Sequence, residues 1–498
     1  MPMNGTYQLP GSIIGERRTK GDRFRTTCCD LRNPWVMMKA VSEGQRKGAV
    51  PARATFRDVF AVREFRALWF SEILSVAGDR LALVALTLLV YDRTRSPLLA
   101  AAAYAAGYVP WVIGGLFLAD LADRRPRRQV MVACDAVRAV LVAAMAVPGV
   151  PLLALVALLF ATTMFTPPFE SARAAITPDI LHGELYVLGA AVTQTTFLAA
   201  QVAGAVGGGV AVAVIGTRPA LAVDSATFVL SGLLIAFGIR ARPAAARPVT
   251  ARSSPWARIG AGFRLVFGDP ALRTLLGFGW LVALYTVPEG VAAPYTNRLG
   301  GGPIATGLVL ASTVFATMIV TPLFSRFVRA RQRLALMGPM AVLTCATLVL
   351  TILQPGLAVS LVIFSLSAAF GSYQIAANTA FVVRVPNERR SQAFGLANMG
   401  VVVGQGAAFV AAGAVAEVIS PAAVIAVSGA IGAVIAVVLT LQWRHVSPPG
   451  GRHAARGRPG HSATRKSATR KSVPLRGSSY RLKSTCRASR TLLSDLAD

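Results

Sequence analysis

The sequence predicts an all-α polytopic membrane protein, with about 12 transmembrane helices in two pseudo-symmetric halves. Three observations carry that prediction. Of 498 residues, 54% are hydrophobic and only 15% are charged, where a soluble chain would carry roughly a quarter charged. The apolar residues come in runs of about twenty, the length that crosses a hydrocarbon core of ~30 Å. Finally, Gln201 and Gln405, Gly209 and Gly413, and Arg125 and Arg329 recur at one offset (405 − 201 = 413 − 209 = 329 − 125 = 204), as duplicated halves would.

The runs centre on residues 67–91, 98–119, 129–147, 150–168, 187–215, 218–239, 272–293, 303–324, 334–353, 356–380, 392–416 and 421–442. The fifth is overlong and is expected to tilt or to leave the bilayer in part. The runs divide the chain into a disordered basic extension (1–57), a first six-helix half (58–239), a linker (240–271), a second half (272–443) and a disordered basic tail (444–498). The extension either has no function or is an overcalled start ahead of Met37 or Met38.

The formal net charge of +29 does not point to nucleic acid, because the arginines are split among many short loops. Alternate loops hold Arg124, Arg125, Arg127 and Arg128, then Arg326, Arg329, Arg331 and Arg333, then Arg384, Arg389 and Arg390. The opposite loops hold only Arg93, Arg95, Arg218 and Arg298. The positive-inside rule therefore puts the first set, and both termini, in the cytoplasm. The five cysteines have no metal spacing, and the N-terminus has no apolar core of a cleaved signal peptide. The first span itself would direct insertion.

Taken in order, Phe60–Trp69 reads as an interfacial helix. The first span carries Gly78-Asp79-Arg80 near its middle. A carboxylate at that depth needs a water-filled cavity or a partner. Asp79 is thus either a proton-exchanging group or a structural one paired with Arg80 or a neighbouring helix. Between spans two and three lies Ala119-Asp120-Leu121-Ala122-Asp123-Arg124-Arg125-Pro126-Arg127-Arg128. This block resembles the signature loop of the major facilitator superfamily, G-x-L-A-D-R-x-G-R-K. Asp123, Arg124, Arg127 and Arg128 fall on its charged positions, while Ala119 and Pro126 stand where that family usually has glycine. The second-half loop keeps arginines and loses the acid, with Phe327 opposite Asp123.

In span three, Asp135 and Arg138 share one helical face and are expected to form a local ion pair. Span four is expected to end at Phe165–Arg173, where Glu170 either reaches the loop arginines or is a solvated loop acid. Gly204 and Gly208 in span five form a G-x-x-x-G packing face. Asp224 is expected to cap span six. Trp256–Phe267 in the linker suits a helix lying on an anionic leaflet. In span seven, Pro288 and Gly290 can break the helix beside Tyr285 and Glu289. Span ten offers Tyr373, Gln374 and Asn378 as route-lining or helix-bonding groups. Ser391 is an expected N-cap for span eleven.

The resemblance implies two pseudo-symmetric six-helix bundles around a central cavity that opens alternately to either side. It implies the lipid bilayer, a small-molecule substrate and protons as partners, in a monomer of the plasma (inner) membrane. No cofactor, metal or nucleic acid is called for. Gly78-Asp79 and the Thr94-Arg95-Ser96-Pro97 turn also resemble the enterobactin-exporter-like, multidrug efflux branch. Asp79, Arg80, Tyr285, Glu289, Gln374 and Asn378 are the expected proton-coupling and cavity residues. Asp123, Arg124, Arg127, Arg128, Asp135, Arg138 and Glu170 form the expected cytoplasmic gate, with Asp123 against the N-terminus of span eleven and the arginines meeting Glu170 or Glu388. The sequence lacks both G-x-x-x-x-G-K-[ST] and H-E-x-x-H, which argues against ATP hydrolysis by the usual route and against a zinc-dependent membrane enzyme. The expected function is proton-coupled export of a drug, secondary metabolite or siderophore. Import of a small metabolite, or a non-transporting receptor or scaffold, are the alternatives.

Overall fold

The computed structural model describes residues 55–108, 110, 113–114, 125–242 and 255–446. It is helical, with no strand among those residues. A short helix, α1 (Phe56–Ala61), leads into α2 (Arg63–Thr94). The first half continues with α3 (Pro97–Ala105), α4 (Arg127–Ala146), α5 (Leu152–Met164), α6 (Thr166–Ile180), α7 (Glu184–Ile215) and α8 (Thr217–Gly238). The linker forms α9 (Pro255–Gly268). The second half opens with four short helices, α10 (Pro270–Trp280), α11 (Val282–Tyr285), α12 (Val287–Gly290) and α13 (Ala292–Arg298). It ends with α14 (Pro303–Phe327), α15 (Ala330–Val349), α16 (Leu357–Phe370), α17 (Gln374–Arg384), α18 (Arg390–Ala416) and α19 (Pro421–Val446).

Among the described residues, 11 helical segments are long and apolar enough to cross a membrane. The second predicted span is described only in part, at α3 and at residues 110, 113 and 114. Helix starts follow local chemistry. Ser96 caps α3 by accepting from the Leu99 amide at 3.2 Å, just ahead of Pro97. Asp269 does the same for α10, accepting from Ala271 N at 2.8 Å beside Pro270. In both, proline sits where its missing N–H leaves no helical bond unmade.

Several expectations are corrected. The chain does not leave helix at Phe165–Arg173; α6 continues α5 directly, because Pro167 and Pro168 lie in the first turn where proline is tolerated. Glu170 is therefore a helix residue, not a loop acid. Asp224 does not cap α8, which begins at Thr217 and places Asp224 well inside the helix, fully buried. The cap of α18 is Arg389, which leaves Ser391 inside the helix.

The buried apolar residues form three cores with an informative distribution. One joins the two halves, combining Tyr91, Tyr104 and Phe228 with Tyr295, Phe364 and Phe409. The other two each belong to one half: Phe65, Met131 and Phe169 in the first, Leu276, Met337 and Phe381 in the second. The shared core lies toward the arginine-poor loops and the separate cores toward the arginine-rich ones. Outward-facing side chains such as Leu153, Phe237 and Val418 stay exposed, as a lipid-facing surface requires.

Small residues set the helix spacing. A Cβ at Gly204 would come within 2.4 Å of the Ala77 carbonyl oxygen, and one at Gly208 within 3.0 Å of Leu81 Cα. That glycine face therefore packs α7 onto α2, inside the first half. Gly209 turns the other way, where a Cβ would meet the Pro303 carbonyl oxygen at 2.6 Å. Its counterpart at the repeat offset, Gly413, meets the Pro97 carbonyl oxygen at 3.0 Å. Each of these carbonyls belongs to the first residue of a helix in the opposite half. The offset seen in the sequence thus reappears as two equivalent contacts between halves.

Candidate functional site

A cavity of about 720 Å³ lies between the halves. It runs from Arg80, Gln201 and Gln405 at mid-depth to Glu72, Glu170, Arg173 and Asn398 toward the arginine-rich end. Beyond Arg80 it adjoins a smaller chamber of about 250 Å³ lined by Tyr104, Tyr108, Glu289 and both glutamines. A third chamber, about 210 Å³, brings Tyr285, Thr286 and Glu289 together in the second half. The repeat-related glutamines are both engaged: Gln201 accepts from Arg80, and Gln405 Nε2 donates to Thr286 Oγ1 at 3.2 Å.

Two charged groupings line this space. The first centres on Arg138, which is fully buried. Its Nη2 donates to Asp79 and its Nη1 to Ser75 Oγ at 2.9 Å, while Asp135 Oδ1 stands 3.5 Å from Nη1. The ring of Phe228 lies 4.1 Å from the guanidinium carbon, a cation–π contact that also shields the charge. Asp135 is completed by a hydroxyl, with Ser231 Oγ donating to Oδ2 at 2.6 Å.

The second grouping bridges the halves. Glu289, freed from regular helix by the breaks on either side of α12, accepts from Tyr104 at 3.1 Å and Tyr108 at 3.3 Å. Both tyrosines come from the first half, and Arg80 lines the same chamber.

These placements revise the expected pairings. Asp79 pairs with Arg138 across helices rather than with its neighbour Arg80, since adjacent residues on a helix point in different directions. Asp135 and Arg138, expected at the gate, sit with Asp79 instead. Glu170 is held by Arg173 at 2.5 Å, which also reaches Glu72 at 2.6 Å; neither Arg127 nor Arg128 takes it. Arg127 pairs with Asp179 at 2.5 Å and donates to the Ala175 carbonyl at 2.7 Å, while Arg128 donates to the Ala236 carbonyl. Gln374 bonds to the Phe278 carbonyl at 3.1 Å and joins α17 to α10. Asn378 is exposed outside the cavities described above. Asp123 and Arg124 lie outside the described residues, as does the Glu388 side chain.

The family model described as the Major Facilitator Superfamily matches residues 68–399 and 290–488. The chain belongs to that superfamily. It is a multi-pass membrane protein of a transporter family. Among curated relatives, the uncharacterized MFS-type transporter YkuC of Bacillus subtilis (strain 168) is 30% identical over 183 residues, which cover 36% of this chain and 42% of the relative. The match thus spans less than half of that relative's length. Among solved structures, the nucleoside transporter NupG has a TM-score of 0.60 at 14% identity, covering 77% of this chain and 99% of its own. A bacterial homologue of the iron transporter ferroportin, solved in an inward-facing state, gives 0.59 at 14%, with 77% and 98% covered. A POT family transporter in complex with a thioalcohol-conjugated peptide gives 0.63 at 8%, with 78% and 97% covered. These likenesses establish the major facilitator fold.

Within that fold, the sequence reading missed Glu72, Tyr108, Arg173 and Asp224 as cavity residues. A signal existed for Glu72. Glu72, Ser75 and Asp79 recur at helical spacing in an otherwise apolar segment, which marks one polar stripe. Nothing local singled out Asp224.

Proposed function

We propose that this member of the superfamily is a proton-coupled exporter of an amphipathic drug, secondary metabolite or siderophore. It acts as a monomer in the plasma (inner) membrane, with both termini in the cytoplasm. The observation that carries the reading is Glu289, a mid-depth carboxylate of the second half whose two hydroxyl donors, Tyr104 and Tyr108, belong to the first. Protonating it weakens the hydrogen bonds it accepts, so its proton occupancy is linked to contact between the halves. Asp79, in the neighbouring cavity and tied to Arg138, is the second coupling group. Tyr104, Tyr108, Phe228 and Leu83 give the route an apolar and aromatic character, which favours amphipathic cargo over sugars. The export branch rests on the Gly78-Asp79 and Thr94–Pro97 resemblance. With the positive-inside rule placing the arginine-rich loops in the cytoplasm, this conformation is open inward and sealed outward.

Inverted membrane vesicles loaded with an acid interior provide the test, using a panel of fluorescent amphipathic dyes and a siderophore. Uptake that needs the gradient, stops with a protonophore and loses its gradient dependence in Glu289→Gln is expected. Uptake confined to right-side-out vesicles would instead establish import. Wild-type uptake indifferent to the gradient would refute proton coupling.

A further inference from the structure

Three carboxylates face the single guanidinium of Arg138: Asp79 on α2, Asp135 on α4 and Asp224 on α8. Two of them are provided for. Asp79 receives a hydrogen bond from Nη2, and Asp135 has Ser231 together with Nη1 at 3.5 Å. Asp224 is different. It is fully buried and borders the 720 Å³ cavity, yet its Oδ2 has no partner. Its Oδ1 has only the Thr227 hydroxyl at 3.3 Å, and that hydroxyl lies nearer the Asp224 carbonyl oxygen, at 2.8 Å.

The space it occupies is specific. A Cβ at position 78 would come within 2.1 Å of Asp224 Oδ1. Gly78 therefore opens the seat for Asp224, and the Gly78-Asp79 pair serves two carboxylates at once. A buried carboxylate that shares one guanidinium with two other acids, and that has no full donor of its own, is disfavoured in its charged form. One hydroxyl is also too few oxygens to hold a metal cation in its place.

We propose that Asp224 is a proton-binding site of this transporter, occupied in the conformation described here, with Asp79 serving as the ionised partner of Arg138. The part of this assignment that concerns transport rests on the proton-coupled reading above. Release breaks the carboxyl O–H bond of Asp224, and the proton passes to water in the cavity. The carboxylate left behind is then met by Arg138 turning from Asp79. Asp79 can lose that partner because its side chain is 34% exposed toward the cavity, where water solvates it. The charged groups facing Asp224 are Asp79 from α2 and Arg138 from α4; α7 carries no charged residue beyond Glu184.

Infrared difference spectroscopy of the purified full-length protein, titrated from acid to alkaline pH, needs no substrate. In a Glu289→Gln background, where the other proposed coupling carboxyl is silent, the chain is expected to lose one band of a buried protonated carboxyl as pH rises. Asp224→Asn should lack that band, Asp224→Glu should shift it, Asp135→Asn should keep it, and Asp79→Asn, which leaves Arg138 free for Asp224, should lose it at a lower pH than the parent chain. A band that persists in Asp224→Asn, or that disappears in Asp135→Asn, overturns the assignment. The Asp224→Glu shift keeps the test decisive should the asparagine variant fold poorly. Because no transport is measured, failure here is separable from failure of proton-coupled export, which the vesicle assay reads.

Discussion

Arg138 is the residue on which most of the buried charge depends. It holds Asp79, contacts Asp135 and lies within the electrostatic reach of Asp224. Removing one partner of a buried ion pair strands the other without compensation, which typically costs about 3–5 kcal/mol. Arg138→Gln should therefore lower thermal stability in detergent by an amount of that order. Asp135→Asn in the same chain should recover part of the loss, because Asp135 is the fully buried acid that the substitution strands, whereas Asp79 is solvated from the cavity. A double mutant no more stable than Arg138→Gln alone would mean the pair contributes through packing rather than charge. At this scale the sequence was informative about residue type and about the local pair Asp135–Arg138, three apart on one helical face, and silent about partners on other helices. Asp79 stood out because an acid inside an apolar run demands an explanation. Its partner could not be read off, since Arg80 is adjacent in the chain and Arg138 adjacent only in space.

Helix contacts define the element scale. The arginine-poor ends are joined where α7 meets α14 at Gly209 and α18 meets α3 at Gly413. Overpacking such a contact costs typically 1–3 kcal/mol, enough to shift a conformational balance by about tenfold or more. Gly209→Val and Gly413→Val should separate these ends, lengthening the distance between spin labels placed at Asp92 and Val418. Gly204→Val should not, because Gly204 packs α7 on α2 within one half. Equal effects from all three would indicate general loosening.

A charged contact reinforces the same seam. Glu417, at the end of α18, accepts from Ser96 Oγ and from the Leu98 amide at 3.0 Å, at the start of α3. A carboxylate at a helix N-terminus meets unpaired amides and positive partial charge. The Ser96 hydroxyl first, and then the Leu98 amide, hold its carboxyl below the usual Glu value. The sign follows. A lowered value means the contact is at full strength above the ordinary Glu range, near pH 4.3, and weakens as pH falls through the depressed value. Glu417→Gln should lengthen the same label distance at neutral pH. Acidifying the wild type below the ordinary range should move it in the same direction.

For the whole molecule, one core crosses the halves at one end and two separate cores serve them at the other. A wedge of this kind opens toward the arginine-rich loops, so the cavity and the charge asymmetry share an axis. Single cysteines at Asn398, in the cavity, and at Arg298, in an arginine-poor loop, should react with a membrane-impermeant thiol reagent from opposite sides of the membrane. Asn398→Cys should be reached in inverted vesicles and Arg298→Cys in intact cells. Labelling of both from one side would overturn the topology.

The amino-acid sequence alone determined the class, the approximate spans and the duplication, because each rests on local quantities: run length, arginine placement and repeat offset. It also marked the break around Pro288, since proline and glycine act on their own backbone. Only the tertiary structure decided which charges meet. Asp224 reads as an ordinary helix-start acid until α8 is seen to begin seven residues earlier and Gly78 is found against it. Glu289 reads as a cavity acid beside a helix break, without partners, until two tyrosines from the other half close on it. Partnership between residues more than a hundred positions apart depends on helix rotation and depth, and these are set by the packing of many small side chains at once.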